Sequence, residues 1–177
     1  MDDNIDLGGS ITDGLSEVTA MAWFNIDDFS NLPQWGCRAN NDSRFQLFFR
    51  SDGTIDGIIG DGSASGDPPD LNNDGATLST NTWHHVAWVY SANDYFTKFL
   101  DGSETGGRLS ISEGAVSTNG LNEYVGARND GDGITGPTDG RVACVRFYDT
   151  ALSESEIENI YNVVSTPGEW LSTGKVI

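Results

Sequence analysis

Thr82-Trp83-His84-His85-Val86-Ala87-Trp88-Val89-Tyr90, followed by Phe99-Leu100-Asp101-Gly102, is the stretch whose reading decides the fold. From Trp83 to Tyr90 it is aromatic and β-branched, the composition that a pleated, buried surface favours. A partner strand is expected from about Phe96 to Leu100. It ends at Asp101-Gly102, where glycine supplies the positive φ of a tight turn. Working outward, Val18 to Ile26 alternates, with Val18, Ala20, Ala22, Phe24 and Ile26 on one side and Thr19, Met21, Trp23 and Asn25 on the other. That period of two is a strand. Arg44 to Arg50 is another, with Phe45, Leu47 and Phe49 facing one way. Ser51-Asp52-Gly53 is a hairpin signal, and Thr54 to Ile59 returns as its partner. Tyr124 to Arg128 and Val142 to Tyr148 add two more strands. Asp27 to Asn41, Gly60 to Gly75 and Asn129 to Gly140 read as loops, and Gly106 to Thr118 as loop with at most one short strand. Ser153-Glu154-Ser155-Glu156 is a capping box that opens a helix of about two turns through Tyr161. Many short strands separated by turns predict an all-β chain, an antiparallel sandwich or jelly roll with one short C-terminal helix.

Two segments carry a family resemblance. The Trp83–Ala87 strand with its Phe99-Leu100-Asp101-Gly102 partner resembles the "W-H-H-V-A" and "v-Y-v-D-G" pair of laminin-G-like domains. Gly140-Arg141-Val142-Ala143-Cys144-Val145-Arg146-Phe147-Tyr148, then Leu152-Ser153, Glu156-Ile157 and Ile160-Tyr161, resembles the closing strand and helix of the same family. The chain is thus similar to laminin-G-like domains of the concanavalin A-like superfamily. The resemblance implies a β-sandwich over residues 1–162, followed by a tail at 163–177. That superfamily holds lectins, adhesins, enzymes and structural modules, so the fold alone does not name the activity. Relatives often carry an acidic residue in the closing strand that can join a structural calcium site. Ala143 and Cys144 stand there instead, so that site is not carried over.

Charge is the most informative bulk property. Asp and Glu number 27 against 9 Lys and Arg, a formal net charge of −18. Such a surface repels phosphate backbones and anionic lipid, which argues against nucleic acid and membrane surfaces as partners. It is a solubilising surface, or one adapted to concentrated salt, where self-repulsion is screened. No apolar run approaches the length of a membrane span, and the acidic Met1-Asp2-Asp3-Asn4 opening is not that of a secretory signal. Cys37 and Cys144 are too few for a disulfide framework, and two buried thiols are favoured over a bridge.

Catalytic chemistry finds little footing. His84 and His85 are neighbours on a strand and point to opposite faces, so they cannot serve one metal or one catalytic pair. There is no nucleophile elbow. The paired glutamates that superfamily glycosidases carry on one strand, roughly 5 Å apart for retaining hydrolysis, are missing from the strands. Glu154, Glu156 and Glu158 fall on the helix as an exposed acidic face. The expectation is therefore no enzyme. Calcium is the one cofactor suggested: Asp70-Leu71-Asn72-Asn73-Asp74-Gly75 matches the first half of a calcium loop, with Asp70, Asn72 and Asp74 as ligands. Asn81 stands where the loop's last glutamate would be. Asp130, Asp132 and Asp139 form a weaker second set. For a glycan, exposed aromatic faces beside polar side chains are wanted. Trp35 in the Asp27–Asn41 loop, and Asn93, Asp94, Tyr95 and Phe96, are the candidates, with plugging of the sandwich ends as the plainer role. Trp170 in the tail is a further docking residue. Two readings follow. One is a structural or recognition protein at a virion or cell surface, as a capsid decoration, turret or tail in a halophilic system, contacting neighbouring subunits or its own copies. The other is a carbohydrate- or glycoprotein-binding adhesin.

Overall fold

Alternating apolar side chains organise two sheets in the computed structural model, which describes residues 4–63, 68–71, 74–163 and 167. The strands are β1 (Ile5–Asp6), β2 (Glu17–Asp28), β3 (Gln34–Arg38), β4 (Arg44–Phe49), β5 (Ile55–Ile59), β6 (Trp83–Ser91), β7 (Tyr95–Leu100), β8 (Ser103–Ser110), β9 (Tyr124–Val125), β10 (Arg128–Asn129), β11 (Ile134–Thr135) and β12 (Asp139–Tyr148), followed by helix α1 (Glu154–Val163). Sheet I runs β11-β10-β3-β4-β5 and sheet II runs β12-β2-β6-β7-β8, while β1 and β9 form a short separate pair. Within sheet I, β10 lies parallel to β3, with Arg128 opposite Gly36. The expected all-β sandwich with one C-terminal helix is what forms.

The main core lies between the sheets. Val18, Ala20, Ala22, Phe24 and Ile26 of β2 meet Trp35, Phe45, Leu47 and Phe49 from sheet I, and Trp88 stands between them. Trp88 also donates its indole N–H to the Asp56 carbonyl at 2.9 Å, tying sheet II to β5. The opposite side of β2 is buried too. Met21 joins Ala87, Val89 and Phe99 beneath Ile157 of α1, so the helix covers the outer face of sheet II. This explains why both alternating sets of β2 are apolar at its centre. The helix begins as its sequence indicates: the Glu156 carboxylate accepts from the Ser153 N–H at 2.8 Å and from its hydroxyl at 2.7 Å.

Three expectations are corrected. The Asp27–Asn41 loop contains β3, so Trp35 is a strand residue. The short strand allowed within Gly106 to Thr118 is the second half of a longer one, the eight-residue edge strand β8, which begins at Ser103 and pairs with β7. Cys144 is half-buried rather than buried, at a bulge where its φ is +54°. Both cysteines are free thiols, and burial pushes the Cys37 thiol up to about 12, which leaves it unreactive. The histidines divide as expected. His85 is buried under α1 against Trp23 and Tyr161. His84 lies at the sheet end, bonded to Asp101 at 2.9 Å and Ser79 at 3.0 Å. Val163 and Pro167 apart, the tail from residue 163, with Trp170, lies outside the described residues.

Candidate functional site

With α1 on sheet II, the outward face of sheet I is, among the described residues, the sheet surface without a helix. On β4, Phe45, Leu47 and Phe49 enter the core, so Arg44, Gln46 and Phe48 point outward. Cross-strand register then assigns the neighbours on that face. Arg38 stands opposite Arg44, Gly36 opposite Gln46 and Gln34 opposite Phe48. Ile58 and Asp56 follow on β5, Arg128 on β10 and Thr135 on β11. Arg50 continues the row beyond the end of β4. Arg38, Arg44, Arg50 and Arg128 are four of the chain's nine basic residues, and all four lie here.

Hydrogen bonds knit the centre of this face. Arg128 donates to Gln34 Oε1 at 2.9 Å and holds Asp130 through a two-point contact at 2.7 and 2.8 Å. Thr135 donates to the same Asp130 carboxylate at 2.7 Å. Burial pushes Asp130 up, but the bonds from Arg128 and Thr135 outweigh it and hold the carboxyl below its ordinary value. Gln46 donates its amide to Gln34 at 3.1 Å, yet its own Oε1 is buried without a partner. Gly36 leaves the floor bare between Arg128 and Gln46. Its φ of +122° and the Phe45 carbonyl pressed against it exclude any side chain. Beside this network opens a cleft of about 330 Å³ lined by Arg38, Ala39, Asn40, Asp130 and Asp132.

At the other end of the face is a buried charge cluster. Arg50 forms ion pairs with Asp56 and, at 3.3 Å, with Asp70. Asp56 is fully buried. Burial first, then the hydrogen bond and charge of Asp70, push its carboxyl up to about 7 against the opposing pull of the Gly57 N–H and Arg50. Nearby, Lys98 is buried on the core side of β7 and donates to the Ile55 carbonyl at 2.7 Å. Burial lowers its affinity for a proton, and Asp56, Asp74 and Asp70 oppose that.

The expected site residues do not gather into one place. Trp35 is 1% exposed in the core, against Trp88 and Phe147, and Phe96 is equally buried against Tyr90. Neither can present a ring to a ligand. This corrects both assignments, and the cause is strand pairing that turns their side chains inward. Asn93 and Asp94 are exposed in the β6–β7 turn, where Asn93 has a φ of +58°. Tyr95 is half-buried, and the Arg108 guanidinium covers its ring at 4.0 Å. Of the calcium ligands, Asp70 pairs with Ile58 and faces Arg50, Asp74 is exposed, and Asn72 lies outside the described residues. Among the described residues no three His, Cys, Asp or Glu side chains converge on one point. A guanidinium, that of Arg50, already accompanies Asp70, the first of the three expected ligands. The residues missed were Gln34, Arg38, Arg44, Gln46 and Arg128. The signal for two of them was in view, because Arg44 and Gln46 alternate with the apolar residues of β4.

The family description "Concanavalin A-like lectin/glucanases superfamily" matches residues 2–158. No curated protein matches the chain. Among solved structures, the CBM40 of the Ruminococcus gnavus IT-sialidase, bound to α2,3-sialyllactose, is similar with a TM-score of 0.72 and 16% identity, over 89% of this chain and 91% of that one. A putative carbohydrate-binding protein from Bacteroides ovatus is similar with a TM-score of 0.65 and 18% identity, over 88% of this chain and 43% of that one. A heptameric SAP-like pentraxin from Limulus polyphemus is similar with a TM-score of 0.60 and 17% identity, over 83% and 70%. At these identities the likeness is one of fold.

Proposed function

The chain belongs to the concanavalin A-like lectin/glucanase superfamily, and we propose that it is a non-catalytic module that binds a glycan on the outward face of sheet I. The observation that carries this reading is the polar network of Gln34, Gln46 and Arg128 around the bare floor at Gly36. In it the Arg128 guanidinium, half-buried, fixes Asp130 and Gln34, and Gln46 Oε1 has no protein partner. Sugars are recognised by such converging, pre-oriented polar groups. The fold's likeness to a CBM40 and to a putative carbohydrate-binding protein supports the same class of ligand. A module of this kind works where glycans are displayed, at a cell or virion surface.

A glycan array probed with the isolated chain tests the reading. Arg128→Ala and Gln46→Ala are expected to weaken binding by roughly tenfold or more, because each removes a central buried polar contact. Arg141→Ser, at an exposed position on sheet II, should leave it unchanged. Full binding by folded Arg128→Ala and Gln46→Ala proteins would place the site elsewhere.

The second reading, a building block of a virion or surface assembly, is favoured by the net charge of −18. Like charges on neighbouring copies oppose close packing until salt screens them. Its mark is a defined oligomer that appears only in concentrated salt.

A further inference from the structure

We propose that the glycan held on this face is acidic, and that Arg38, at the mouth of the cleft, is the residue that reads its charge. This inference rests on the glycan-binding reading and goes a step further, to the class of sugar.

The other arginines with resolved partners here are taken. Arg128 is engaged by Asp130, and Arg50 by Asp56 and Asp70. Arg38 differs. Its guanidinium donates to the neutral Asn41 side-chain oxygen, and among the described residues no carboxylate lies within ion-pair distance of it. It is partly exposed and lines the 330 Å³ cleft, a volume at the lower end of small-ligand pockets. The charge of Arg38 helps lower the Asp130 carboxyl, but Arg128 holds that carboxylate, so in a chain of net charge −18 Arg38 is one place where an anion meets less of the surrounding repulsion.

The rest of the cleft agrees. Its lining has no aromatic ring, and the aromatic on this face, Phe48, is buried with Arg50 over it. Stacking on the apolar side of a neutral pyranose is therefore not on offer, and affinity has to come from charge and hydrogen bonds. The Asp130 carboxylate beside Arg38 is already compensated by Arg128, so it repels an incoming anion less. Asp132 is the exposed acceptor of the lining, suited to sugar hydroxyls. A guanidinium fork on one wall and a carboxylate on the other fit a sugar that carries both an anionic group and free hydroxyls. That anionic group is a carboxylate or a sulfate ester, since both present paired oxygens to an arginine.

The test is an array on which sialylated, uronic and sulfated glycans each stand beside a desialylated, esterified or desulfated counterpart. Acidic members should bind at least about tenfold better than their counterparts, as expected for a charge-assisted pair. Arg38→Gln should erase that difference and Arg38→Lys should keep part of it. Melting temperature serves as the folding control, because the side-chain hydrogen bond that Arg38→Gln gives up is the one to Asn41. Preference for the carboxylate pairs or for the sulfate pairs identifies the anion. Equal binding to neutral and acidic members, or an Arg38→Gln protein with undiminished preference, overturns the inference and leaves the glycan reading standing. No binding to any member by the folded wild-type chain removes both.

Discussion

Replacing Trp35 with alanine is expected to cost about 3–5 kcal/mol of stability, the range for deleting a large buried aromatic. The indole is 1% exposed and meets Phe147, Trp88 and Phe24 at ring-centre distances of 5.0, 6.1 and 6.1 Å. It stands where both sheets meet, so the cavity left behind would be lined by rigid rings that cannot collapse into it. In a chain of this size the loss is a fall of roughly 10 °C in melting temperature. Glycan binding should decline only as the protein unfolds. Trp35→Phe should lose much less, because a smaller ring keeps most of the contacts. Urea unfolding of both variants measures this. An alanine variant that melts with the wild type but no longer binds would return Trp35 to the surface role its sequence context first suggests.

Asp56→Asn should make the protein more stable above neutral pH. The folded-state carboxyl is raised to about 7 from 3.8. A group raised in this way contributes stability that is complete below pH 3.8 and lost as pH climbs through 7. Above that, the wild type holds a buried carboxylate beside Asp70 at a cost on the order of a few kcal/mol. Asparagine removes the titration, and Arg50 keeps Asp70 as a partner. His85 acts in the opposite sense. Burial lowers it to about 4 from 6.5, so its contribution is complete above pH 6.5 and lost as pH falls through 4. The two slopes oppose each other across their shared window, and the wild type should vary little there. Asp56→Asn should uncover the histidine slope and lose stability on acidification from pH 6.5 to 4. Chemical unfolding at a series of pH values measures both effects. A variant that tracks the wild type from pH 4 to 9 would mean that Arg50 already holds Asp56 ionised.

The sheets were largely legible because core strands write their environment in side-chain type. β6 is largely aromatic and β-branched, and β4 alternates cleanly. β8 was not legible: Ser103 to Ser110 has no apolar alternation and contains Gly106 and Gly107, both at positive φ. It is a strand because β7 offers it a partner, which is a tertiary cause. β3 was hidden by Pro33 and Gly36 at its borders and centre. The same logic governs the site. Arg44 and Gln46 could be read as soon as β4 was recognised. The cleft could not, because Arg38 and Asp130 meet only through the parallel pairing of β10 with β3. The aromatic residues that suggested a sugar platform were drawn inward by pairings of their own, Trp35 with Leu47 of β4 and Phe96 with Tyr90 of β6.

The position of β2 also bears on how the protein is made. This strand lies between β6 and β12 in sheet II, and its Thr19 pairs with Tyr148. A ribosome delivers β2 (Glu17–Asp28) well before its outer partner β12 (Asp139–Tyr148). At roughly 5–20 residues per second, the nascent strand waits on the order of ten seconds with apolar side chains on both faces uncovered. Closure of the sandwich is then a late, long-range event, and such topologies fold slowly. Until β12 emerges, the growing chain presents a surface that chaperones bind, and its heavy load of acidic side chains helps keep neighbouring nascent copies apart.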